Sequence, residues 1–239
     1  MWSTIFNTFL YRPLFNLLVL ICAYVPGHDL GIAIIILTIL IRIALYPFFL
    51  KSLRSQTVMN KIQPELQEIR KRYKQDPTKQ SKELLVLYQK HHINPLSSFA
   101  LLIIQFPVLI ALFQVFRGGV NALTASQYLY SFVSLPVLHT SFLGILDLTH
   151  PNLVLAILTA LVQFYQTKLS MGKISQDQSK PSLARAIQKS TLYFLPLMTF
   201  LFLTNLNAAI GLYWLTTTVF SLGQQYLIWR SSSTSPVSN

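Results

Sequence analysis

One cysteine in 239 residues, Cys22, excludes an internal disulfide and a cysteine-based zinc site. The residues before it, Val19-Leu20-Ile21, are too large for a lipoprotein cleavage site, so Cys22 reads as a small apolar side chain. Acidic residues are also scarce, seven in all, and charged residues of both signs make up only 11% of the chain. A water-soluble surface is hard to assemble from so few charges. No glycine-rich phosphate loop, nucleophile elbow or zinc-binding helix occurs. The five histidines (His28, His91, His92, His139, His150) fall in loops or near segment ends without metal-ligand spacing. Enzymatic chemistry, cofactors and metals are therefore not expected.

Apolar residues are abundant, at 52% of the chain, with a mean hydropathy of +0.48. Five runs are long enough to cross a bilayer, near 30–50, 98–117, 152–170, 190–206 and 208–228. The expected fold is an all-α polytopic membrane protein. The net charge of +12 could suggest nucleic acid, but its placement argues for topology instead. Of nineteen Lys and Arg, ten lie between Lys51 and Lys90 and five between Lys168 and Lys189. Basic loops at 51–95 and 171–189 follow the positive-inside pattern and belong in the cytoplasm. With five spans, that puts the N-terminus outside and the C-terminus inside.

Leu14 to Val25 is a shorter apolar run, bounded by Arg12-Pro13 and Pro26-Gly27. It reads as part of an interfacial amphipathic helix on the outer side within 1–29; a signal peptide is the rival, without an A-x-A site to support it. Residues 51–95 show helical spacing at Ile62, Leu66, Ile69 and Tyr73, a break at Asp76-Pro77, then a second apolar cluster. A basic helical hairpin is expected. The stretch 118–151 has no Lys or Arg and reads as an external loop with short interfacial helices, and 231–239 as a disordered tail.

Arg42 is the most informative residue, because it lies inside the first span and no Asp or Glu lies in any span to pair with it. A guanidinium at that depth costs on the order of 3 kcal/mol on insertion scales and cannot escape by losing its proton. Gln105, Gln163, Thr199 and Ser221 sit at comparable depth in the other four spans, and Thr38 shares the helix face of Arg42. Polar groups at one level in all five helices point to a hydrophilic hollow in the inner half of the membrane. The alternative is that the uncharged ones are hydrogen-bonding glue between helices. Tyr46, Tyr213 and Trp214 are aromatic candidates for the same lining.

GIAIIILTILIRIALYP, NPLSS from Asn94, IIQFPVLIALF from Ile103 and GLYWLTTTVFSLGQQYLI together resemble the YidC-type membrane protein insertases. The resemblance runs from about residue 9 to 230. It implies a five-span core over 30–230 with a cytoplasm-open groove holding Arg42, Thr38, Gln105, Tyr213 and Trp214. It also implies newly made membrane proteins as clients. The bilayer is the other partner, with the Sec translocon, ribosome or targeting factors as candidates at the 51–95 hairpin. A bacterial plasma membrane location follows. Ser97-Ser98 and Leu101 depart from the Gly-Gly and proline of many relatives. No large external domain or long basic C-terminal tail is expected, which leaves ribosome binding through the tail without a basis. A small anion transporter or channel using Arg42 is the competing reading, weakened by the lack of an inverted repeat.

Overall fold

A computed structural model describes residues 2–92, 97–117, 127–170 and 182–234. The chain starts with α1 (Trp2–Phe6), a π-helical turn (Asn7–Tyr11) and α2 (Arg12–Tyr24). Next come α3 (Leu30–Ala44), α4 (Tyr46–Lys61), α5 (Gln63–Arg72), α6 (Pro77–Lys90) and α7 (Ser97–Arg117). A two-stranded antiparallel ladder, β1 (Ser141–Phe142) with β2 (Leu146–Asp147), precedes α8 (Leu153–Ser170), α9 (Ser182–Leu203) and α10 (Ala208–Thr234). By length and composition two helical stretches could cross a membrane, Thr4–Tyr24 and α8, or three if α3 and α4 form one bent span. Shorter apolar stretches, Gln105–Phe116 and Ser190–Leu203, lie within α7 and α9.

Several elements differ from expectation. The helix expected within 1–29 runs through α1, the π-helical turn and α2, and there Arg12 and Asn16 have their polar groups satisfied inside the fold. Arg12 donates to the carbonyls of Tyr128 and Leu129, at 3.1 and 3.3 Å. Asn16 donates to Tyr128 O at 2.8 Å and accepts from Tyr130 N at 2.7 Å. The described part of the outer loop carries the β1–β2 ladder where short helices are expected. The 30–50 run is broken at Leu45, and α4 leaves α3 at 66°. Pro47 sits in the first turn of α4, where its missing N–H costs nothing, while its ring disfavours helical continuity before it. Ser231–Thr234 continues α10, and 235–239 lie outside the described residues, as do 93–96, 118–126 and 171–181 of the expected loops.

Asp29 joins the loop to the bundle. Its carboxylate caps α3 by accepting from Ile32 N at 3.0 Å and also accepts from Leu143 N at 2.6 Å. Beside it, Leu30 N donates to His139 O and His139 N to His28 O. The start of α10 is tied to the same loop through Ala208 N to His150 O and Ala209 N to Leu148 O.

The core beneath is made of Leu18, Ile34, Leu37 and Leu112, with Cys22, Ala33 and Ala111 allowing close helix approach. Ala208, Ala209 and Gly211 serve the same purpose at the start of α10, which packs on α3 and α8. Outward-facing side chains of α8 and α9 are large and apolar, including Leu153, Val154, Leu158, Phe194 and Leu197. An apolar perimeter around a core with buried polar groups suits lipid better than water. Away from this core, α5 and α6 pack on each other through Ile62, Leu66 and Leu87, with Asp76 capping α6 by accepting from Lys79 N at 3.0 Å.

Two measurements test these contacts. A Cβ at Gly31 would lie 2.6 Å from the Cβ of Phe142, so Gly31→Ala should destabilise by about 1–3 kcal/mol through overpacking. Thermal unfolding in detergent should show a lower midpoint. In the exposed turn after β2, Asp147 accepts from Thr149 Oγ1 at 2.6 Å, Thr149 N at 2.8 Å and His150 Nδ1 at 2.8 Å. These hydrogen bonds, led by the Thr149 hydroxyl, pull the Asp147 carboxyl down from its ordinary 3.8 to about 2. The turn's contribution is therefore complete above pH 3.8 and lost as pH falls through about 2. Carboxyl NMR should find that low midpoint, and Thr149→Val should raise it.

Candidate functional site

The helix α10 touches α3, α7, α8 and α9, so side chains on its inner face meet those of every neighbour. Between these helices lies a cavity of about 320 Å³. Arg42 of α3, Gln105 of α7, Gln163 of α8 and Tyr213, Trp214 and Ser221 of α10 all line it.

Arg42 is 5% exposed, and its guanidinium carbon lies 4.2 Å from the ring centroid of Phe49. That is cation–π range, with the partly desolvated geometry in which the contact is strongest. The bend at Leu45 brings Phe49 back over Arg42; a straight helix would carry it about 10 Å further along the axis. No carboxylate pairs with Arg42 among the described residues. The site therefore holds an uncompensated positive charge facing a polar cavity.

Two hydrogen-bonded groups line the opposite walls. Gln105 donates from Nε2 to the Tyr213 hydroxyl, joining α7 to α10. Gln163 Oε1 accepts from Thr199 Oγ1 at 2.8 Å and from Trp214 Nε1 at 3.1 Å, joining α8, α9 and α10 through one carbonyl oxygen. Ser221 donates to Thr217 O at 2.9 Å, within its own helix.

Thr38 and Thr199 are buried but stand apart from the lining. Thr38 donates to Ile34 O at 2.6 Å, which spends its hydroxyl inside α3. Thr199 acts one layer back, through Gln163. Tyr46 is 43% exposed and does not line the cavity.

Depth alone does not point to the other lining residues: Phe49, Leu53, Leu109, Gln166, Ser170, Thr217, Thr218, Gln224 and Gln225. Part of this set has a readable signal. Thr217, Ser221, Gln224 and Gln225 recur at the three- and four-residue spacing of one helix face, as do Gln163, Gln166 and Ser170 on α8. The position of Phe49 has no such signal, because it depends on the bend.

A family model described as 60Kd inner membrane protein matches residues 22–235. The chain belongs to this family. A membrane protein insertase YidC of Clostridium tetani is 34% identical over 204 residues, covering 84% of this chain and 82% of the relative. The membrane protein insertase MisCA of Bacillus subtilis is 32% identical over 227 residues, covering 93% of this chain and 78% of the relative. A longer YidC insertase, from Oleidesulfovibrio alaskensis, is 34% identical over 229 residues, which are 94% of this chain and 39% of that protein. The family match takes in α3 through α10, and hence every side chain lining the cavity.

Gln163 is the residue on which the α8–α9–α10 contact turns. Gln163→Leu removes the shared acceptor and strands the Thr199 hydroxyl and the Trp214 indole N–H, at a cost of about 1–3 kcal/mol. A fall in the thermal midpoint together with a shift of Trp214 fluorescence is the expected result. Thr199→Val removes one donor but leaves the Trp214 bond to Gln163, and should cost less than Gln163→Leu.

Proposed function

We propose that the protein is a membrane protein insertase, lying in a bacterial inner membrane with its N-terminus outside and its C-terminus in the cytoplasm. Membership of the 60Kd inner membrane protein family, with relatives named as insertases, supports the activity. The charge distribution supports the orientation, since the basic stretches 51–95 and 171–189 are then both cytoplasmic. In this reading the five crossings are α3 with the start of α4, then α7, α8, α9 and α10. The helical stretch ending at Tyr24 lies on the outer side, in the interface.

The observation that carries the mechanism is Arg42, a buried cation with no carboxylate partner among the described residues, beside a cavity lined by amides and hydroxyls. A client approaches from the cytoplasm and meets the basic pair α5–α6 first, the surface available to ribosomes, targeting factors or a Sec translocon. Its short polar segment enters the cavity, where Arg42 offsets the desolvation of acidic residues. Its apolar segment passes to lipid, and burial of about twenty apolar residues drives the process without nucleotide hydrolysis. The protein lowers a barrier and breaks no covalent bond.

Reconstitution tests this directly. Proteoliposomes with wild-type protein should protect a single-span, acidic-tailed client from protease without ATP. Arg42→Ala should reduce that protection on the order of tenfold, the worth of a charge-assisted contact, and affect a neutral tail much less. Equal loss with both tails would remove charge attraction from the mechanism. Protein-dependent anion flux without any client protection would favour an anion channel instead.

A further inference from the structure

Gln224 is 6% exposed, lines the cavity, and has no hydrogen-bond partner among the described residues for either Nε2 or Oε1. Its neighbour Gln225 lines the same cavity with a buried Oε1 that also has no partner. Buried polar groups are nearly always satisfied, because an unmade bond costs more than a made one returns. A leucine or methionine would close the same helix face without that cost. One carboxamide with both polar atoms unpaired, next to a second whose buried oxygen is unpaired, points to a ligand at this cavity wall.

The chemistry of the group narrows what that ligand is. A carboxamide offers one acceptor and a donating NH₂, matching the C=O and N–H of a peptide group. It carries no charge, so it does not discriminate acidic from basic or neutral side chains. Gln224 lies ten residues beyond Trp214, about 15 Å along α10. In the orientation given above it lies nearer the cytoplasm than Arg42, where an entering segment arrives first. Gln166, on the facing wall from α8, adds a further amide.

We propose that Gln224 and Gln225 bind the peptide backbone of the entering polar segment, independently of its sequence, before Arg42 acts on its charge. This rests on the insertase reading and assigns the recognition of its substrate to two groups. An unfolded segment leaving bulk water must have its own amides satisfied, and the glutamines supply partners that water otherwise provides. Charge-free tails then depend on the glutamines, while acidic tails depend on both.

The test uses the full chain in proteoliposomes and a synthetic single-span client with a neutral tail. The double variant Gln224→Met, Gln225→Met should lower protection of that client about five- to tenfold, the size of one or two lost hydrogen bonds. Its thermal midpoint in detergent should equal or exceed that of the wild type, since an unpaired buried amide has been removed. A client whose tail amides are replaced by esters, which keep the shape but lack the N–H, should be inserted less well by the wild type. The double variant should discriminate less between the amide and ester tails. Where the pair unfolds, Gln224→Met alone is read in the same way. Normal insertion of the neutral tail by a folded variant would overturn the proposal, as would equal use of amide and ester tails by the wild type. Failure of the wild type to insert any client would instead overturn the insertase reading itself.

Discussion

Burying the guanidinium of Arg42 with no carboxylate beside it among the described residues is the constraint around which this end of the bundle is arranged. Arginine keeps its charge at any accessible pH, so the fold must lower the cost of the cation in place. It does so in two ways. Phe49 provides a π face at 4.2 Å, and the cavity keeps the open side polar. Both depend on the turn at Leu45, where the helix leaves its path and carries Phe49 back over the cation. The residual positive potential is the property that an acidic segment could use.

The end of the bundle that meets the loop at 127–150 is built on the opposite principle. There the side chains of Arg12, Asn16 and Asp29 are spent on the protein itself. Asn16 is buried in an otherwise apolar helix, yet its amide bonds to the loop at Tyr128 and Tyr130. Asp29 caps α3 and receives Leu143 N with its other oxygen. Backbone bonds from Ala208 and Ala209 fasten the start of α10 to the same loop. A bundle closed in this way at one end and lined with underused polar groups at the other is asymmetric. That suits a site entered from one side of a membrane.

Much of the site is legible in the chain because charges and amides are rare in apolar helices. Arg42, Gln105, Gln163, Tyr213, Trp214 and Ser221 meet at one cavity, as their depth along the helices suggests. Depth is only one coordinate, however. Thr38 and Thr199 have the right depth, but their hydroxyls are committed to Ile34 O and Gln163. Gln224 and Gln225 have the right face but a different depth. A helical wheel identifies them, whereas a search at one level passes over them.

The sequence by itself determined the helical class, the two concentrated basic stretches, and the unusual status of Arg42. These follow from local composition and periodicity, which act within one segment. Only the tertiary structure decided which hydroxyls are spent and which amides are left open. It also decided that Phe49 covers the cation and that Asn16 and Asp29 hold the outer loop. Those outcomes depend on partners as far as 114 residues away in the chain, as between Asn16 and Tyr130. The bend that positions Phe49 is a property of how two helices pack, and no run of residues around Pro47 specifies its angle.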